Sequence, residues 1–193
     1  MNPFQTRFLK GALKVVLAAT LALFCNACAT SGDRGTVGNK STYQGPIDKH
    51  GMPTLIPKSG QMKVRTTAYT HTEADSLQYG KKTAAGTTLK YGRVKSAAAD
   101  WSRFPYGTIF KIDGDRTIYQ VDDYGSALVG TSTIDIYKPC KRTMRHWGVR
   151  KVDIKILRWG SYQKSLDIME ERTRHRHVGT MVAAINKKLR QKG

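Results

Sequence analysis

The rhythm of apolar and polar positions changes three times along the chain. Val15 to Cys25 (VVLAATLALFC) is an unbroken apolar run. From Ala29 to about Met62 no hydrophobic period is visible, and Gly, Ser, Thr, Pro and Lys dominate, which is linker composition. From about Lys63 to Trp159, short runs rich in β-branched and aromatic residues predict strands at Val64–Tyr69, Thr108–Ile112, Thr117–Val121, Ile134–Tyr137 and Val152–Ile156. The last of these alternates apolar and polar positions, as a strand with one buried face should. Asp113-Gly114-Asp115 between two of the runs reads as a hairpin turn, and Lys141 to Trp147 predicts one short helix. Beyond Trp159 the spacing turns helical: Leu166, Ile168 and Met169, then Val178, Met181, Val182, Ile185 and Leu189. The expectation is a mainly β domain over residues 63–159 with a helical extension over 160–193. So many short strands in so few residues favour a small closed barrel, because closure removes edges that invite aggregation.

Charge and cysteine placement change this picture most at the N-terminus. The 193 residues carry 33 Lys and Arg against 14 acids, a formal charge of +19. Such a field favours polyanionic surroundings: nucleic acid, anionic lipid, or a wall carrying carboxylates and phosphates. Compartment decides among them. Arg7, Lys10 and Lys14 precede the apolar run, and the first thirty residues hold no acid. A cationic start, a short apolar core and small residues beyond it are the features of an export signal. The run is too short to span a bilayer, which takes roughly 18 to 20 residues. Two processing sites follow. Ala27-Cys28 resembles the lipobox of bacterial lipoproteins, with Cys28 the lipid-attachment residue after a signal peptide over 1–27. Ala27-Cys28-Ala29 also reads as an ordinary A-x-A site, with the mature chain starting at Thr30. The first is preferred and predicts a protein lipid-anchored to a membrane of the cell envelope, on a tether over 28–62 reaching roughly 30 Å as a flexible coil. Export argues against nucleic acid as a partner. Both readings remove Cys25 and leave no disulfide framework. Arg172, Arg174, Arg176, Lys187, Lys188 and Arg190 crowd the polar faces of the predicted C-terminal helix, which either packs on the domain or lays a basic face on anionic lipid or glycan.

Acids are scarce in the strand-rich region, so those in strands and tight turns draw the chemical argument. Asp100 ends the small-residue run Ser96-Ala97-Ala98-Ala99-Asp100. Asp123 opens a glycine-bearing turn. Asp135 lies between Ile134 and Ile136, so its side chain points to the opposite face. Singly, each reads as a turn or cap residue. In order, however, Ala99-Asp100, Pro105-Tyr106-Gly107-Thr108, Asp123-Tyr124-Gly125-Ser126-Ala127-Leu128-Val129-Gly130 and Ile134-Asp135-Ile136-Tyr137 resemble the 3D domain, named for its three aspartates. The same pattern is found in the C-terminal part of the membrane-bound lytic transglycosylase A family, and the resemblance covers roughly Thr66 to Leu157. It implies a six-stranded double-psi β-barrel and cleavage of peptidoglycan glycan strands. It also implies that Asp135 matches the catalytic aspartate, with Asp123 and Asp100 as its companions. Tyr69, Gly125, Ser126 and Tyr137 are the expected substrate contacts.

The chemistry agrees with one acid in the central role. A glycoside hydrolase usually needs two carboxylates. A lytic transglycosylase uses the C6 hydroxyl of the muramic acid as nucleophile, so one carboxyl can protonate the glycosidic oxygen and then, as carboxylate, take the C6 proton. That role requires Asp135 to hold a proton well above the reference value of about 3.9. The chemistry needs no cofactor. The rival class is a non-catalytic peptidoglycan-binding module, in which the aspartates only make hydrogen bonds. Other candidates carry less. His71, Glu73 and Asp75 lack the ligand spacing of zinc sites, and no metal is expected. His175 and His177 are two apart in a predicted helix and share no face. Cys140 and His146 have no third partner for nucleophilic catalysis. Tyr69, Tyr79, Tyr91, Tyr106 and Trp101 could stack on sugars or fill the core.

Overall fold

A computed structural model describes residues 43–74 and 77–191. The expected export signal, Cys28 and most of the expected tether therefore lie outside the described residues. Six strands form one sheet: β1 (Gln61–Tyr69), β2 (Val94–Ala98), β3 (Ile109–Ile112), β4 (Ile118–Asp123), β5 (Thr133–Tyr137) and β6 (Arg150–Arg158). Hydrogen bonding runs β1-β5-β2-β4-β3-β6 and back to β1, so the strands close into a ring and none has an open edge. Two neighbouring pairs, β1 with β5 and β2 with β4, are parallel, and the other four pairs are antiparallel.

The five expected strands are present, each within a few residues of its predicted limits. The β3–β4 hairpin turns on Asp115, whose carboxylate accepts from the Thr117 amide and the Tyr119 hydroxyl, both at 2.8 Å. These bonds hold that carboxyl below its ordinary range despite the opposing effect of burial. The strand not individually expected is β2. Its sequence VKSAA is poor in the residues that favour strands. It forms because the interior is filled from the other strands. Phe110 and Tyr119 stack with ring centroids 5.3 Å apart, and Val64, Val121, Ile134, Ile136 and Ile154 are buried with them. Small residues on β2 make room for that bulk, and Ser96, Ala97 and Ala99 are wholly buried.

Helix α1 (Lys141–Trp147) has the expected limits. The C-terminal extension is two helices, α2 (Tyr162–Met169) and α3 (Arg176–Arg190). Met169, Val178, Met181 and Ile185 are fully buried in one cluster with Trp101 and Phe104. The apolar side of the extension is thus spent on the domain, while Arg174, Arg176, Lys187 and Arg190 stay exposed. No helix among the described residues is long and apolar enough to cross a membrane.

The end of the segment expected to be a tether is folded. Asp48 accepts from the amides of His50 and Met52, and its other oxygen accepts from the Ser132 amide at 2.6 Å. Met52 is buried, and the Ser132 hydroxyl donates to the Pro53 carbonyl. Composition suggested a coil because the partners of these residues lie about eighty positions away, beyond any local pattern.

Candidate active site

Strand register builds the site. Thr67 on β1 pairs with Asp135 on β5, Asp135 pairs with Ala98 on β2, and Ala98 pairs with Asp123 on β4. Directly paired residues project to the same face, so Thr67, Asp135, Ala98 and Asp123 form a row across four strands. Two carboxyl groups stand on either side of one buried alanine.

A bulge selects which acid of the Asp122-Asp123 pair joins the row. Ala97 pairs with Val121, but Ala98 pairs with Asp123, so Asp122 is the extra residue. Asp122 is fully buried, and one of its oxygens accepts from Lys90 Nζ at 2.6 Å and Ser96 Oγ at 2.8 Å. Its Oδ1 is buried without a partner. Burial raises this carboxyl while Lys90 and Ser96 oppose the rise.

Asp123 is held tightly. Its Oδ1 accepts from the amides of Ala84 at 2.8 Å and Tyr124 at 2.9 Å, and its Oδ2 accepts from the Tyr69 hydroxyl at 3.0 Å. Its own carbonyl accepts from the Trp101 indole at 2.8 Å. Burial nonetheless pushes its carboxyl up to about 6, with the Asp122 charge adding to the rise and the three hydrogen bonds opposing it. Burial, followed by the Asp123 charge, holds the Tyr69 phenol well above its ordinary value, so it remains a donor at neutral pH.

Asp135 is held more loosely. Its Oδ1 accepts from Thr67 Oγ1 at 2.7 Å. Among the described residues no donor reaches its Oδ2. Burial is the main cause that lifts this carboxyl to about 6; the charges of Glu73 and Asp123 add to it, while Thr67 and Arg65 pull it down. Both carboxyls are thus raised chiefly by burial, and the charge of Asp123 adds only a small part to the rise at Asp135.

Two register positions beyond Thr67 and Asp135 lies an aromatic wall. Tyr69 pairs with Tyr137, their rings are 5.6 Å apart, and Tyr91 meets Tyr137 edge-on at 6.3 Å. The Tyr137 hydroxyl is 2.9 Å from His71 Nδ1. Tyr137 is almost fully buried, whereas Tyr91 keeps an exposed face. Gly125 and Ser126 follow the row at the single helical turn Ser126–Leu128. Ser126 is exposed, and no hydrogen bond ties either residue to the aspartates among the described residues.

Asp100 stands apart from the row and is buried. One oxygen accepts from the Ser102 amide and hydroxyl at 2.8 and 2.7 Å, and the other from the Gly130 amide at 2.7 Å. Both oxygens are occupied, so the geometry gives Asp100 the task of tying the turn after β2 to the loop after Asp123. Trp101 is wholly buried and cannot stack on a ligand.

Thr67, Ala84, Glu73 and Asp122 shape the site without having been singled out as a group. Thr67 and Asp135 are 68 residues apart, and only strand register reveals their contact. Glu73 was weighed as a metal ligand, but its carboxylate accepts from the Thr70 amide; Asp75 lies outside the described residues. No group of three or more His, Cys, Asp or Glu side chains suited to a metal occurs among the described residues. Cys140 is an exposed free thiol at the start of α1, beside Thr143.

The closed ring of six strands thus carries two raised carboxyls, Asp123 and Asp135, beside an aromatic wall. Residues 95–158 match the family model of the 3D domain. The match runs from β2 to the end of β6 and contains all three aspartates. Thr67 and Tyr69, the side-chain donors to Asp135 and Asp123, lie on β1 outside it. No curated protein matches the chain.

Proposed function

We propose that this protein cleaves peptidoglycan glycan strands as a lytic transglycosylase, with Asp135 as the general acid and base. The observation that carries the reading is the state of Asp135: one oxygen is fixed by Thr67, the other is open, and the carboxyl is raised to about 6. Efficient acid–base catalysis needs a group whose proton affinity lies near the operating pH. Asp135 as the acid protonates the glycosidic oxygen as that bond breaks. As carboxylate it then takes the proton of the C6 hydroxyl, which attacks the anomeric carbon and closes a 1,6-anhydro ring. Asp123, fixed by three donors, stabilises positive charge developing on the sugar. Asp100 holds the surrounding loops and takes no part in proton transfer.

In the same proposal the ring is a double-psi β-barrel, supported by its two parallel pairs, β1 with β5 and β2 with β4. The export signal and Cys28 support a lipid-anchored location in the cell envelope, outer membrane or periplasm. The net charge of +19 suits an anionic wall.

The test incubates the full chain, solubilised in detergent, with purified peptidoglycan, beside Asp135→Asn. Mass spectrometry of released fragments should show 1,6-anhydro-muropeptides with the wild type alone. Reducing-end products would replace transglycosylation with hydrolysis and make Asp123 the second carboxylate. Sedimentation with the wall and no release would leave a non-catalytic binding module.

A further inference from the structure

A concave site separate from the aspartate row lies where β6 ends. A cavity of about 420 Å³ is lined by Tyr106, Gln120, Arg158, Trp159 and Lys164 over a backbone floor that includes Gly107 and Gly160. Trp159 is 43% exposed, a large apolar surface to leave in water beside three polar side chains. Gln120 pairs with Ile109, and Ile109 pairs with Arg158, so the amide and the guanidinium stand on one face of the sheet. Among the described residues the side chains of Gln120, Arg158 and Lys164 make no hydrogen bond or ion pair. Their donors are available to a ligand.

The floor is rigid. A Cβ at position 160 would lie 2.2 Å from the Tyr106 carbonyl oxygen and 2.4 Å from that of Pro105, so only glycine fits there. The Gly160 amide donates to Thr108 Oγ1 at 3.1 Å, the Ser161 amide to the Tyr106 carbonyl at 3.0 Å, and the Tyr106 amide to Ser165 Oγ at 2.9 Å. Trp159 is therefore carried by a segment with little freedom to shift, which lowers the ordering cost of binding.

We infer that this cavity binds a pyranose ring carrying a carboxylate, as a glycan subsite separate from the row of Asp135 and Asp123. The exposed indole takes the apolar face of the sugar. Gln120 bonds its hydroxyl or acetamido groups, and Arg158 with Lys164 takes the carboxylate, for which a guanidinium fork is suited. A purely apolar ligand would leave these polar groups without partners. Gln120 precedes Asp123 by three positions on β4, about 10 Å along the strand, so a glycan crossing the aspartate row can extend towards Trp159. The choice of a wall sugar rests on the function proposed above.

Monosaccharides test the site without turnover, because they contain no bond to cleave. Binding of N-acetylmuramic acid and of neutral N-acetylglucosamine to the full chain in detergent is measured by titration with ligand-observed NMR. The wild type should bind the acidic sugar more tightly. Trp159→Ala should weaken both about tenfold, the scale of about 1.4 kcal/mol, and Trp159→Phe, which keeps a ring, should restore most of the loss. Arg158→Gln combined with Lys164→Gln should abolish the preference for the acid. Unchanged affinities in Trp159→Ala would overturn the inference, as would a mononucleotide binding more tightly than either sugar. Trp159-dependent sugar binding without anhydro products would sink the catalytic reading and leave this site standing; anhydro products without such binding would do the reverse.

Discussion

Asp135→Asn should make the folded protein more stable at neutral pH while removing its acid. The side-chain shape is preserved, and the asparagine oxygen still accepts from Thr67 Oγ1, which holds Asp135 at 2.7 Å. What changes is the cost of ionisation. The folded-state value of about 6 lies above the ordinary 3.8, so between those values the folded chain binds more protons than the unfolded chain. Stability contributed by this group therefore falls as pH rises from about 4 to about 6, and the full penalty persists above that window. At about 1.4 kcal/mol per pH unit, the difference corresponds to about 3 kcal/mol. Relaxation around the new charge reduces this to about 2 kcal/mol, or roughly 4–8 °C in Tm for a domain of this size. Urea unfolding of the two proteins at pH 4, 5, 6 and 7.5 measures it. The gap should be near zero at pH 4, open through pH 5 and 6, and level off by pH 7.5. A gap independent of pH, or a variant less stable than the wild type at pH 7.5, would show that Asp135 ionises in the fold without strain and would remove the main support for its role as an acid.

Three further outcomes follow from the same contacts. Asp100→Ala strips the acceptors from the Ser102 and Gly130 amides in a buried position and should cost about 3 kcal/mol in urea unfolding; an unchanged midpoint would deny it the holding role. Lys90→Met leaves the buried Asp122 carboxylate without its cation and should destabilise by about 3 kcal/mol at pH 7, with a smaller loss at pH 4, where the carboxyl, raised by burial, is neutralised by protonation. Tyr69→Phe removes a donor that favours the ionised form of Asp123. Carboxyl-carbon NMR should then show Asp123 titrating above about 6, and a downward movement would contradict the contact.

Local pattern was enough wherever neighbours in sequence determine structure. Alternation revealed β6, the turn residues revealed the β3–β4 hairpin, and α1 has its predicted limits. The order of motifs around Asp100, Asp123 and Asp135 was enough to give the 3D-domain resemblance, drawn over roughly Thr66 to Leu157, of which the family model matches residues 95–158. Pattern failed at β2, where Ser and Ala carry little strand preference and form a strand because bulk from Phe110 and Tyr119 fills the ring opposite them. It also failed at residues 48–53, whose loop composition hid contacts to Ser132.

Local pattern read each of the three aspartates as a turn or cap residue, and only the family resemblance singled out Asp135 among them. Tertiary structure separates them. Asp100 is closed off by Ser102 and Gly130, Asp123 is fixed by Ala84, Tyr69 and Tyr124, and Asp135 keeps one oxygen open. The bulge at Ala97 and Ala98 decides that Asp123, and not Asp122, faces Asp135. Local pattern was enough for five of the six strands and for the residue types the chain makes available. Which carboxyl keeps an open oxygen depends on burial and on donors brought from distant strands, and both come into being only when the ring closes.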